Sequence, residues 1–247
     1  MSILERRPKV GDLLAGMSQR DQLVALARTL FREGFNDHVT GHITLRQPNG
    51  TFLVNPFELT WGELRSSDVL EMDDQGNQLS GSYSITPAIT LHVELHRARH
   101  DIHVALHGHP EWATAWASAL RIPAIYDQTS ALAGDNVVLY QEYGGSVDAS
   151  EQARSAVRAL GSSHTALLAH HGVFVAAESV SLAYMWASTI EWRARRAWQV
   201  EALGGQKPID GAVIESLHDF VLKNISIFPT FEAAIREELR RDPNMFS

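Results

Sequence analysis

Cysteine is absent from the 247 residues. That excludes disulfide frameworks, cysteine-based zinc fingers and thiol nucleophiles. No stretch approaches the roughly 18 consecutive apolar residues that suggest a membrane-spanning helix. The opening run MSILERRPKV has no apolar segment behind its basic residues, so it does not read as a signal peptide. Surplus positive charge is missing too: 21 Lys and Arg stand against 29 Asp and Glu, for a net charge of −8 and a pI near 5.8. Nothing basic invites a nucleic-acid partner. No internal repeat, low-complexity segment, phosphate-binding glycine loop or nucleophile elbow is visible. The expectation is a soluble, cytoplasmic protein with a small-molecule substrate. Hydrophobic residues at 45% and charged residues at 20% are an ordinary globular balance.

Residues 1–17 read as a loose arm. Ser18 and Asp21 resemble a capping box ahead of the stripe Leu23, Leu26, Leu30 and Phe31, and Gly34 stops that helix. Segments 42–46 and 52–55 read as strands joined at Pro48-Asn49-Gly50, and 68–72 as a third strand. Thr86 and Pro87 open a helix to about Arg99. Strand 102–107 turns at Gly108-His109-Pro110 into a short helix over 111–119. A strand near 136–140, a helix over 149–160 capped by Asp148, strands 165–169 and 173–177, and a long helix over 180–200 follow. The remainder, 206–247, reads as a helical tail packing on the same domain, with helices over 209–223 and 229–241. Hairpins early and helical crossovers later predict an α/β fold in layers.

Histidine is the residue in excess, with twelve, most of them between positions 92 and 171. In His107-Gly108-His109 the two imidazoles are spaced i, i+2, which puts them on one face of a strand. They can share one ion, and the spacing fits two structural histidines as well. His170-His171-Gly172 lies between the apolar segments TALLA and VFVAA. A polar pair there needs partners, which a metal or the hydrogen bonds of a tight turn would supply. Gly172 is expected to provide the positive φ of that turn. Two histidines from one strand and one from another make a three-ligand site with open positions, the layout of a catalytic metal centre. Zinc, iron, cobalt and manganese all suit neutral imidazoles.

The run LHVELHRARHDIHVALHGHP, followed by ALLAHHGVFVA, resembles the class II aldolase/adducin family. The resemblance covers about residues 18–205 and includes GHITLR, FLVNP and a long helix carrying Glu191, in that order. It implies a three-layer α/β/α sandwich around a mainly antiparallel central sheet. It implies homotetramers with active sites at subunit interfaces. It also implies one divalent ion per chain, zinc ahead of iron, manganese or cobalt, held by His107, His109 and His171. His170 takes a place where many relatives have Asn.

The departures from the family pattern are as informative. The catalytic Glu of the family aldolases, four residues before His92, is Ala88 here. Their small polar phosphate ligands are replaced by His42, Thr86-Pro87 and Phe57-Glu58. A sugar phosphate is therefore not the expected substrate. His92, one turn from Ala88, is expected to point into the vacated space as an acid–base or substrate-contacting group. His42 is expected to line the site and meet an anionic group, with Phe57 and His170 as further contacts. Tyr126 and Gln128, in IPAIYDQTS, match a region that relatives project into a neighbour's site, Tyr126 with a catalytic role. His96, His100 and His103 read as surface or packing residues, and Glu237 and Glu238 as a solvated face. Trp112, Trp116, Trp186, Trp192 and Trp198 read as core and interface. The function expected is a metal-dependent carbon–carbon lyase, a decarboxylase or retro-aldolase. It would act on a small non-phosphorylated oxygenated carboxylate or dihydroxy-aromatic acid through a metal-stabilised enolate. A non-haem iron oxygenase and a non-catalytic adducin-like scaffold are the alternatives.

Overall fold

A computed structural model describes residues 12–142, 150–205, 207–223 and 227–247. Helix α1 (Asp12–Ala15) is a single turn, and α2 (Gln19–Arg32) follows it. The box at the start of α2 forms as the sequence predicts. Ser18 Oγ accepts the Asp21 N–H at 3.1 Å, and Asp21 Oδ2 accepts the Ser18 N–H at 3.2 Å. Then come β1 (His42–Arg46), β2 (Phe52–Val54), β3 (Leu70–Met72) and β4 (Gln78–Ser80). Helix α3 (Thr90–Ala98) leads to β5 (Val104–Gly108) and α4 (Glu111–Ser118). Strand β6 (Val137–Tyr140), helix α5 (Ser150–Leu160) and strands β7 (Thr165–Leu168) and β8 (Gly172–Ala177) complete the sheet. Three helices end the chain: α6 (Val180–Ala202), α7 (Gly211–Lys223) and α8 (Ile227–Arg241).

The eight strands form one sheet in the order β4-β3-β2-β1-β5-β8-β7-β6. All pairings are antiparallel except β6 with β7. Alternation along each strand sorts side chains to two faces. Ile43, Leu45, Leu106, Val173 and Val175 pack against α2, α4 and α6 through Leu23, Leu26, Leu30, Trp116 and Tyr184. On the other face Ala105, Phe174 and Ala176 meet Leu91 and Leu95 of α3 and Ala156 and Leu160 of α5. This is the three-layer sandwich with a mainly antiparallel sheet.

Several local expectations change. Residues 12–17 do not hang loose: the Leu13 and Leu14 N–H groups donate to Glu232 Oε1 at 3.2 and 3.3 Å, which docks α1 on α8. Glu238 is not solvated but 2% exposed. It accepts Arg28 at 3.0 Å and Arg32 at 3.1 Å, joining α8 to α2. Strand β4 was not visible in the sequence because all three of its residues are exposed and lack the apolar alternation of a half-buried strand. The predicted Asp148 cap lies outside the described residues.

Candidate metal centre

Strand β5 ends where β1 and β8 flank it, and this brings distant histidines together. His107 pairs with His42 on β1 and with Phe174 on β8. His109 follows the strand, and His171 stands just before β8. The ligating nitrogens of His107, His109 and His171 all lie within 4.8 Å of one another. The i, i+2 spacing thus aims both rings to one side, with His107 Nε2 only 3.1 Å from His109 Nε2.

The outer nitrogens reveal what the inner ones are. His107 Nδ1 lies 2.9 Å from the Val173 carbonyl, which can only accept, so Nδ1 carries the hydrogen. His109 Nδ1 lies 3.1 Å from Asp37 Oδ2, whose carboxyl is held below its ordinary range by hydrogen bonds from His38, His109 and Thr40. An ionised carboxylate also only accepts, so the His109 hydrogen sits on Nδ1 too. Both Nε2 atoms are then bare lone pairs facing each other at 3.1 Å. A proton between them is disfavoured, because burial holds His107 well below the ordinary imidazole range. His171 is pushed down to about 4, chiefly by burial. A divalent cation resolves the contact, and three neutral imidazoles fit one. The Asp37 contact on His109 is the carboxylate–histidine arrangement that fixes the tautomer of a ligand and raises its basicity.

Gly172 serves this geometry in a different way than predicted. The positive φ of the turn falls on His170, at 55°, and not on Gly172. Histidine, like Asn, tolerates the left-handed region better than most residues. Gly172 is instead needed for space: a Cβ there would sit 2.5 Å from both the Gly108 carbonyl and His109 Cδ2. Gly41, at φ 104°, is required on both grounds, since its Cβ would lie 3.0 Å from the His107 carbonyl. Helix α4, which starts right after His109-Pro110, is held from below by Glu191. Its carboxylate accepts the Trp112 and Ala113 N–H groups at 2.9 and 2.8 Å, and burial raises its pKa to about 7.

The other predicted site residues divide. His42 stays with the triad, its ring 5.0 Å from that of His107. His92 does not point into a space left by Ala88. It is fully buried and hydrogen-bonds His42 and Thr44, so it can reach a bound molecule only through His42. Of the histidines expected at the surface or in packing, His96 is a packing residue at 2% exposed and His100 is exposed. His170 is exposed at the rim beside His171. Among the described residues no contact joins Phe57, Tyr126 or Gln128 to the triad within the subunit. Tyr126 Oη reaches Glu201 at 3.5 Å, Gln128 is exposed, and Phe57 is 41% exposed. Glu58 is engaged locally, both its oxygens accepting the Ser84 N–H at 3.0 Å. The sequence reading missed Asp37, Thr40 and Thr44. Asp37 carried no motif, and its contact with His109 arises only when the loop before β1 folds over the end of β5.

Residues 21–198 match the model of the family described as Class II Aldolase and Adducin N-terminal domain. The chain belongs to this family. An adducin-related protein of Schizosaccharomyces pombe is 30% identical over 178 residues, 68% of this chain and 54% of that protein. The chain thus spans about half the length of that relative. A 3,4-dihydroxyphthalate decarboxylase of Arthrobacter keyseri is 30% identical over 204 residues, 75% of this chain and 80% of that enzyme. The solved structure of L-fuculose 1-phosphate aldolase from Glaciozyma antarctica superposes with a TM-score of 0.81. It covers 98% of this chain and 97% of its own at 22% identity, a likeness of fold. Further family relatives include an aldolase, another decarboxylase and an oxygenase/synthase. Among the described residues no helix of this family member is long and apolar enough to cross a membrane.

Proposed function

We propose that this family member is a divalent-metal-dependent carbon–carbon lyase that decarboxylates a small, non-phosphorylated, oxygenated acid, with a dihydroxy-aromatic carboxylate as the leading substrate class. The observation that carries the reading is the pair of bare Nε2 atoms of His107 and His109 at 3.1 Å, with His171 beside them. A divalent ion bound there supplies Lewis acidity toward neighbouring substrate oxygens, the electron sink that loss of carbon dioxide requires.

The chain's own groups favour decarboxylation over aldol cleavage. Ala88 has no proton to shuttle, and its N–H is already engaged by Thr86 Oγ1 at 3.3 Å. Decarboxylation needs no base to begin, only a later proton at carbon. At the position of the family's phosphate clamp, Glu58 brings negative charge and Phe57 an apolar ring. The identity to a decarboxylase of a dihydroxylated aromatic acid supports the same substrate class. Assembly into a homotetramer belongs to this proposal. Trp198, 54% exposed, lines a groove of about 220 Å³ together with Trp112 and Trp116, a surface suited to a second copy. Tyr126 and Gln128 would act across such an interface.

The test is an anaerobic assay of purified protein supplied with zinc, manganese or iron(II). Carbon dioxide release from ortho-dihydroxylated aromatic acids is the expected result, with negligible cleavage of fuculose 1-phosphate. Efficient cleavage of that sugar phosphate would overturn the substrate class. A strict oxygen requirement would replace the lyase with the oxygenase.

A further inference from the structure

Strand β1 carries His42, Thr44 and Arg46 at alternate positions, so all three share the face covered by α3. Helix α3 presents His92 and His96, one turn apart. The two sets mesh into a single file. His42 Nδ1 lies 2.8 Å from His92 Nε2, His92 Nδ1 lies 2.8 Å from Thr44 Oγ1, and Thr44 Oγ1 lies 2.8 Å from His96 Nε2. At the far end the Arg46 guanidinium reaches His96 Nδ1 at 3.4 Å and donates to the His96 carbonyl at 2.6 Å. His42, Thr44, His92 and His96 are 4%, 0%, 0% and 2% exposed.

The three rings are buried and, among the described residues, no carboxylate contacts any of them, which favours the neutral form; burial pushes His96 down to about 3 and His92 well below the ordinary value. A neutral imidazole offers one N–H and one lone pair, and a hydroxyl offers one proton. One proton in each gap, with the Thr44 hydroxyl proton spent in one of its two, leaves two arrangements. Either every proton points toward His42 and all three rings carry hydrogen on Nε2, or every proton points away and all carry it on Nδ1. Any mixture either sets two donors or two lone pairs face to face or has Thr44 Oγ1 accept from both rings with its own proton left without a partner, in each case at the cost of a buried unmade hydrogen bond.

Arg46 selects between them. A guanidinium has donors only, so it favours a lone pair on His96 Nδ1. The Ile102 carbonyl also faces His96 and favours hydrogen there; it accepts Arg46 Nε at 3.2 Å and keeps a second lone pair, so it competes with the guanidinium as a neutral partner against an ionised one. Hydrogen bonds with an ionised partner are roughly twice as strong as neutral ones.

We propose that Arg46, His96, Thr44 and His92 are positioning residues that lock His42 in the tautomer with hydrogen on Nε2. His92 occupies His42 Nδ1, so Nε2 is the atom left to meet a molecule bound beside His107. The lock makes it a fixed, uncharged donor. It suits a carboxylate, carbonyl or phenolate oxygen and rejects a group that can only donate. This preference rests on the metal centre proposed above and narrows its substrate to acceptor oxygens; the tautomers themselves do not depend on that centre.

Full-length protein labelled with ¹⁵N-histidine, with and without added zinc, can be read by magic-angle-spinning NMR. The spectra report which nitrogen of each assigned ring carries hydrogen. The wild type is expected to show hydrogen on Nε2 of His42, His92 and His96. Arg46→Met should move all three hydrogens to Nδ1, His42 included, four links away along the file. Adding Thr44→Val should stop His92 and His42 from following, while Thr44→Ser should restore the coupling. A purely structural role for these residues predicts no such transmission. Wild-type hydrogen on Nδ1 of His42 or His92 overturns the lock, and so does Arg46→Met with His42 unchanged. Zinc is assayed on the same samples, so a chain that binds none yet shows the lock refutes the centre and keeps the ladder.

Discussion

Two groups of three histidines lie a few ångströms apart on one face of the sheet, and they are wired in opposite ways. In the ladder of His42, His92 and His96, the facing nitrogens are bridged by a hydrogen or by the Thr44 hydroxyl at 2.8 Å. In the triad, the outer nitrogens of His107 and His109 are satisfied by Val173 and Asp37, and the inner pair is left bare at 3.1 Å. On the two readings proposed above, the same side chain makes a packed, proton-ordered wall in one place and a ligand set in the other. The partner on the second nitrogen makes the difference, because it fixes whether the first nitrogen is a donor or a lone pair. Histidine counts alone cannot separate the two.

The largest break in this comparison should come from the triad. His107→Ala with His109→Ala is expected to abolish binding of divalent metal, measured by elemental analysis after purification without chelator. Full occupancy in that double variant would refute the ligand assignment. Next comes the support behind it. Asp37→Asn keeps the shape but removes the carboxylate charge facing His109 Nδ1, and it should weaken metal binding by about 10- to 100-fold. Competition with a chelator reads this directly, and wild-type affinity would deny Asp37 its role.

The ladder should respond in stability instead. Thr44→Val leaves His92 Nδ1 and His96 Nε2 without the hydroxyl, a loss of ~1–3 kcal/mol in denaturant unfolding with metal content unchanged. Metal lost in step with stability would merge the two groups that the geometry separates. Acid should act on both. His42, His92, His96 and His107 all have folded-state pKa values below the ordinary histidine value. The unfolded chain therefore binds more protons once pH drops below ~6.5. The stability they contribute is present above that pH and is lost as pH falls toward the folded values, about 3 for His96. Unfolding free energy of the metal-free protein that stays flat from pH 7 to 5 would contradict this.

The sequence made the triad legible because its signals are local: an i, i+2 pair on a strand and an HHG turn between two apolar runs. The layering was legible for a similar reason, through strand alternation and helix stripes. Partners joined across long stretches of chain were not. Asp37 meets His109 only in the fold, and Glu238 meets Arg28 and Arg32 from the other end of the chain. The ladder was half legible. His42 and Thr44 alternate, and His92 and His96 are one turn apart, but the register of α3 on the sheet is a packing result. Gly172 shows a subtler failure, since the turn placed its strain on His170 and left the glycine to solve a steric problem.

The central claim is that three imidazoles, and not the fourth one beside them, hold the ion. X-ray absorption at the zinc edge of the zinc-loaded, full-length protein counts them directly. The account predicts three imidazole nitrogens at roughly 2.0–2.1 Å, with the remaining coordination from oxygen ligands. Four imidazoles would draw in His42 and contradict both the triad and the tautomer lock. Two or fewer would contradict the centre itself.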